Sequence, residues 1–216
     1  HRALLDARDK SGISYDFAQN TGYQDFESIL RRHCAEGYDL IVGDAFGSEQ
    51  LVREVADDFP DIPFFFGSGM EPNGKNLSVF DNLIHEPAWL AGMAAGSITQ
   101  KNRIGSVAAK SIPEVNRLIN AFISGATEMN QQVKFEIIYT DDFYYPPKAD
   151  SAAEQLIHQG VDVIFAERKG AEIACSRHGI PVIRKMDDLQ KDVPDVFVTS
   201  LIWDMKPALS HIVSKI

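Results

Sequence analysis

Several groups of residues in this chain have the types that chemistry uses, and most of them fail on spacing. Gly69-Met70-Glu71-Pro72-Asn73-Gly74-Lys75 follows a phosphate-binding loop as far as its lysine. The next residue is Asn76, where a Ser or Thr hydroxyl would meet magnesium. A strand-like run follows, not the helix whose N-terminus must face the phosphates. The segment therefore reads as a turn-rich loop. No G-x-G-x-x-G opens a helix, so a Rossmann cofactor site lacks its fingerprint, and no G-x-S-x-G nucleophile elbow occurs. His1, His33, His85, His158, His178 and His211 form neither H-x-x-x-H nor H-E-x-x-H, so no metal ligands are assigned. Asp141-Asp142 read as a solvated strand end. The sequence assigns no catalytic residue and no cofactor.

A second group does not depend on a motif. In parallel α/β sheets, ligands sit beyond the carboxyl ends of the strands, where loops and helix N-termini converge. Those positions hold Asp44 and Phe46, then Phe80, Asp81 and Asn82, then Glu114 and Asn116. Further along come Asp142, Phe143 and Tyr144, then Glu167 and Arg168, and finally Trp203 and Asp204. Rings mixed with carboxylates and amides suit a flat ligand with a polar edge, stacked on its faces and hydrogen-bonded at its rim. The candidate ligand-binding residues are Asp44, Phe46, Phe80, Asp81, Asn116, Phe143, Glu167 and Trp203.

Regular alternation of elements must position these residues. Short apolar runs at 13–18, 38–42, 62–66, 77–80, 103–108, 133–139, 161–166, 180–183 and 196–202 are rich in Val, Ile, Phe and Tyr. Gly, Pro, Asp or Asn bound them, as expected of buried strands. Amphipathic windows at 23–36, 48–59, 86–100, 113–130 and 149–159 lie between them as helices; Phe26, Ile29 and Leu30, for instance, share one helical face. Strand and helix in steady alternation predict parallel sheets covered by helices on both faces. The phrase Glu36-Gly37-Tyr38-Asp39-Leu40-Ile41-Val42 has a partner in Gln159-Gly160-Val161-Asp162-Val163-Ile164-Phe165, which points to two similar lobes.

Composition narrows the functions. The chain has 216 residues with 44% hydrophobic and 24% charged, the profile of a folded globular protein. Its 21 basic and 31 acidic residues give a net charge of -10, which repels phosphate backbones and anionic lipid heads and argues against nucleic acid as a partner. Cys34 and Cys175 fall in an early and a late helix and are expected in different lobes, unbridged. Helix-like stretches at 2–8 and 209–216 read as a chain that starts and stops inside elements, so a piece of a longer protein is expected.

One set of phrases carries a resemblance: 90–105 (LAGMAAGSITQKNRIG), Ile112-Pro113-Glu114-Val115-Asn116-Arg117, Asn120-Ala121-Phe122, Ala166-Glu167-Arg168-Lys169-Gly170 and Thr199-Ser200-Leu201-Ile202-Trp203-Asp204-Met205. Together, over about residues 37–205, they resemble the basic membrane protein (Bmp) family of ABC-transporter substrate-binding lipoproteins, the group like purine nucleoside receptor A. The resemblance implies a type I periplasmic-binding fold: two doubly wound parallel-sheet lobes joined by short hinge crossings, with a cleft that closes on the ligand. The lobes are expected at 1–102 plus 198–216 and at 103–197, the first lacking the family's first strand with its early Asp and Phe-Asn site residues.

The resemblance also implies an exported protein, at the periplasm or the outer face of the cytoplasmic membrane and in some members lipid-anchored. Such a protein acts as a monomer that delivers a purine nucleoside or nucleobase to an ABC permease. By this analogy Phe46, Phe143 and Trp203 stack on the ligand, and Asp44, Asp81, Asn116 and Glu167 bond its edges. Glu167-Arg168-Lys169-Gly170 departs from the Gly-rich loop usual there, and Met186-Asp187-Asp188 matches the family's Asp loop only loosely. Two rivals share the fold or the ligand class: the sensing domain of a transcription regulator or membrane receptor, and a small nucleoside-processing enzyme.

Overall fold

The computed structural model describes residues 2–18, 21, 24–186 and 190–215. The chain divides into two compact units, His1–Asn82 with Asp204–Ile216, and Leu83–Trp203. In the first unit, α1 (Arg2–Ser11) and α2 (Phe26–Ala35) precede β1 (Ile41–Asp44), α3 (Glu49–Asp58), β2 (Phe64–Gly67) and β3 (Leu77–Phe80). The three strands pair in parallel in the order β1-β2-β3. Leu30 and Cys34 on α2 and Val52, Val55 and Ala56 on α3 repeat at helical spacing, and they bury against Ile41, Phe64, Phe66 and Leu77. The C-terminal helix α8 (Lys206–Val213) packs on α1.

The run at 13–18 is not the expected strand; residues 12–18 carry no regular structure. Alternation at Ile13, Tyr15 and Phe17 suits a strand, but a strand also needs a neighbour for its backbone groups. In the second sheet the corresponding strand pairs only with the one before the preceding helix. Among the described residues no strand precedes α1.

The second unit holds α4 (His85–Ile98), β4 (Arg103–Ala108), α5 (Pro113–Met129), β5 (Lys134–Tyr139) and α6 (Pro146–His158). It continues with β6 (Val163–Ala166), α7 (Ala171–His178), β7 (Val182–Met186) and β8 (Phe197–Ile202). All five strands are parallel, in the order β5-β4-β6-β7-β8. Val163, Phe165 and Ile183 face the core under α4 and α5, while Ile164, Ala166 and Val182 face the one under α6 and α7. These strands are buried on both faces, which is why they read as unbroken apolar runs.

The unit boundaries fall at 82/83 and 203/204, not at 102/103 and 197/198 as the sequence suggested. Two elements account for the difference. Helix α4 lies along α5 so closely that a Cβ at Gly92 would stand 2.0 Å from the Phe122 carbonyl oxygen, and one at Gly125 would stand 1.9 Å from that of Trp89. Strand β8 is the edge of the second sheet, laddered to β7. Both therefore belong with the second unit.

The repeated phrase occupies equivalent places. Gly37 (φ +79°) and Gly160 (φ +92°) each leave a helix in the left-handed region and lead into β1 and β6. Asp162 then accepts the backbone N–H of Gln100 at 2.6 Å and of Lys101 at 2.7 Å, and the Thr99 hydroxyl at 2.6 Å, which fixes the exit of α4. Helix α6 begins at Pro146, before the expected 149, because Asp142 takes the N–H groups of Tyr144 and Tyr145 and the prolines occupy the first turn. Cys34 and Cys175 are buried and free, in different units, as expected. Among the described residues, no helix is long and apolar enough to cross a membrane.

Candidate functional site

The second unit's sheet reverses direction of build at β4, from which the chain passes to β5 on one side and β6 and β7 on the other. Ligands of doubly wound sheets bind beyond the strand ends at such a point. The loops there are tied to one carboxylate. Glu167 follows β6, and its side chain is 0% exposed. Its Oε2 accepts the Ala109 N–H at 3.0 Å and Arg168 Nε at 2.9 Å. Its Oε1 accepts the second Arg168 nitrogen at 2.5 Å and Lys185 Nζ at 3.1 Å. Ala109 follows β4 and Lys185 lies near the end of β7.

Arg168 extends the cluster to the loop after β5. Its Nη1 donates to the Phe143 carbonyl at 3.2 Å, and its guanidinium carbon lies 5.3 Å from the centroid of the Phe143 ring. Lys110 Nζ lies 5.9 Å from the same centroid. Phe143 rests on Ala108, Val115 and Ile119 and stays half-buried. A ring with cations beside it and an apolar base is held in a fixed attitude.

Other predicted residues in this unit are engaged differently. The Asn116 amide is used within the protein: Oδ1 accepts the Tyr139 hydroxyl at 2.9 Å, and Nδ2 donates to Ser111 Oγ at 3.2 Å. Asp142 closes the turn before α6, and the Tyr144 N–H, with that of Tyr145 and the Lys148 ammonium, holds its carboxyl below the usual aspartate value. Trp203 ends the unit just past β8, half-buried, with its indole N–H buried and without a hydrogen-bond partner among the described residues. Beneath the edge, Arg184 of β7 and Glu172 of α7 form an ion pair at 2.8 Å, with side chains 4% and 9% exposed. Glu172 also accepts the Gly170 N–H at 2.8 Å.

In the first unit, Asp44 ends β1, exposed, with Oδ1 accepting the Phe46 N–H at 2.8 Å. Phe80 ends β3 and leans on Phe65, ring centroids 4.6 Å apart. A Cβ at Gly67, between them on β2, would stand 3.0 Å from the Phe80 ring and 3.6 Å from Asp44 Oδ2. Asp44 and Phe80 thus share one strand-end edge. Phe46 is half-buried, and Asp81 is exposed directly after β3.

The Gly69-to-Lys75 segment is a loop, as the sequence indicated. Met70 N–H donates to Glu49, Lys75 pairs with Asp57, and the Asn76 amide donates to the carbonyls of Ala56 in the last turn of α3 and of Phe59 and Ile62 beyond it. Asp16, His33 and Glu36 set three ligand-type atoms within 4.8 Å of one another on the surface. They are spent on Tyr38, Arg32 and one another.

Sequence reasoning passed over Lys110 and Lys185. The available signal was Arg184-Lys185, two consecutive cations in a strand otherwise reading as buried. Met186-Asp187-Asp188, weighed as an Asp loop, has its two aspartates outside the described residues.

A family model described as "ABC transporter substrate-binding protein PnrA-like" matches residues 1–216. An ABC transporter protein of Haloferax volcanii, TsgA13, named as a putative glucose-binding protein, is 35% identical over 194 residues, 89% of this chain and 49% of that protein. A purine-binding protein of Brucella abortus is 28% identical over 185 residues, 85% of this chain and 53% of that protein. The chain thus spans about half the length of these relatives. Among solved structures, a solute-binding protein of an ABC transporter system from Aeropyrum pernix superposes with a TM-score of 0.84 at 22% identity, over 99% of this chain and 65% of that one. That likeness establishes the type I periplasmic-binding fold.

Proposed function

Because the chain belongs to the Bmp family of PnrA-like ABC-transporter substrate-binding proteins, we propose that it captures a small, flat, polar-edged molecule, a purine nucleoside or nucleobase, for import. The recipient is an ABC permease, and the place of capture is the outer side of the cytoplasmic membrane, with the protein acting as a monomer. The observation that carries the ligand class is Phe143, an aromatic platform at the sheet's switch point, based on Ala108, Val115 and Ile119. A purine offers a π-face of matching size, and its rim donors and acceptors suit nearby charged groups. The Lys110 and Lys185 ammonium groups supply donors in the second unit. The name of the Haloferax relative favours a second reading, a hexose, whose apolar face also stacks on aromatic rings.

The test is mass spectrometry of material released by denaturing the purified protein. A purine nucleoside or nucleobase supports the reading. A hexose transfers it to the sugar class, and a compound without a flat or stackable face overturns it.

A further inference from the structure

We propose that Glu167 and Arg168 do not contact the ligand but form a positioning device that sets the Phe143 platform before any ligand arrives. The inference rests on the reading of Phe143 as a stacking surface and adds how this chain holds it.

Glu167 is unavailable to a ligand on two counts. Its side chain has no exposed surface, and its carboxylate already takes four donors at 2.5 to 3.1 Å. An ionised carboxylate offers about four lone-pair sites, so each is occupied. The donors arrive from three strand ends: Ala109 after β4, Arg168 after β6 and Lys185 on β7. Arg168 then reaches a fourth strand end, that of β5, through the Phe143 carbonyl. Four adjacent strand ends are thereby fixed to one buried anion.

Arginine suits this task where lysine does not. Two of its nitrogens grip the carboxylate, a third holds the Phe143 carbonyl, and the guanidinium carbon lies 5.3 Å from the ring centroid. Lysine is a point charge on a flexible stem and cannot make all three contacts at once. Loops that would otherwise be ordered on binding are ordered in advance, which removes part of the entropic cost of capture.

The experiment uses the intact chain carrying 4-fluorophenylalanine, with the Phe143 fluorine resonance assigned by Phe143→Leu. Arg168→Met is the main variant, since Lys185 remains to neutralise Glu167; Arg168→Lys, which keeps the charge, is the second should the first fail to fold. Without ligand, the Phe143 resonance should be sharp in the parent protein. It should shift and broaden in Arg168→Met and change less in Arg168→Lys, with the core resonances of Phe122 and Phe165 unmoved. Calorimetry with adenosine, inosine, guanosine and D-glucose forms the second arm. For whichever probe the parent binds, Arg168→Met should weaken affinity roughly three- to tenfold, the scale of one aromatic contact. An unmoved Phe143 resonance in the variants overturns the proposal, as does a loss of binding with the ring signal unaltered, since Arg168 would then be a direct contact. If the parent binds none of the four probes, the ligand reading fails, while the fluorine signal still decides the positioning role.

Discussion

Replacing Gly125 with alanine should cost the protein about 2 kcal/mol, against the ordinary rule that alanine improves a helix. On propensity alone Gly→Ala in a helix interior gains about 1 kcal/mol. At this site the new Cβ would lie 1.9 Å from the Trp89 carbonyl oxygen, 2.8 Å from its carbon and 3.1 Å from the Met93 nitrogen. These are backbone atoms of α4, so no side chain can rotate away. The helices must part by more than an ångström along a seam where Cβ atoms at Gly92 and Gly96 would stand 2.0 and 2.4 Å from the Phe122 and Ala126 carbonyl oxygens. Parting loosens Ala88, Ala91, Ala95, Phe122 and Ala126, all nearly or fully buried. Overpacking costs about 1–3 kcal/mol, and a backbone obstacle belongs at the upper end. About 3 less about 1 leaves the 2 kcal/mol stated, a fall of roughly 4–8 °C in melting temperature for a chain of this size. The assay is urea and thermal unfolding followed by circular dichroism, with Ser97→Ala, exposed on α4, as the control expected within about 0.5 kcal/mol. A Gly125→Ala protein as stable as the parent would refute the close helix seam.

Three further outcomes follow from the second unit. Arg184→Met strands Glu172 in the core and should cost about 3–5 kcal/mol in urea unfolding, whereas replacing both residues with leucine should recover most of that loss. The carboxyl of Glu154 is lowered by Arg177 and then by His178, and that of Asp142 by the Tyr144 N–H. A lowered folded-state value means stability that is present above the unfolded value, 4.5 for Glu154, and is lost as pH falls through the folded one, so the urea midpoint should drop in acid and Glu154→Gln should flatten that drop. Burial, with Glu172 beside it, pushes the Cys175 thiol far up, so iodoacetamide should leave Cys175 unmodified in the native protein and alkylate it in urea.

Much of the fold was legible because it rests on periodicity. The runs that became β3, β4 and β8 are bounded by turn residues, so their length and composition alone mark them. The segment at 13–18 has the same alternation and is not a strand, because alternation describes a side-chain pattern and says nothing of a neighbouring ladder. The unit boundary was misplaced for a related reason. A helix rich in Ala and Gly has no strong apolar face, and which helix it packs on is decided by carbonyl-to-glycine contacts that no spacing rule displays.

The site divides along the same line. Positions at strand ends were readable, and Phe143, Glu167, Asp44 and Phe80 all stand at them. What each does was not readable, since it depends on who donates to whom. Asn116 reads as a ligand amide, yet both ends are used by Tyr139 and Ser111. Glu167 reads as a polar rim and is an internal anion, because its full burial comes from the fold around it.

The central claim, that Phe143 is the stacking platform of a substrate-binding protein, is tested most directly by titrating the purified chain calorimetrically with adenosine, inosine, guanosine and D-glucose, beside its Phe143→Ala variant. The account predicts saturable one-to-one binding of at least one purine nucleoside by the parent, weakened at least tenfold in the variant, roughly 1.4 kcal/mol. Equal affinity in the two proteins, or no purine binding by the parent, would contradict it.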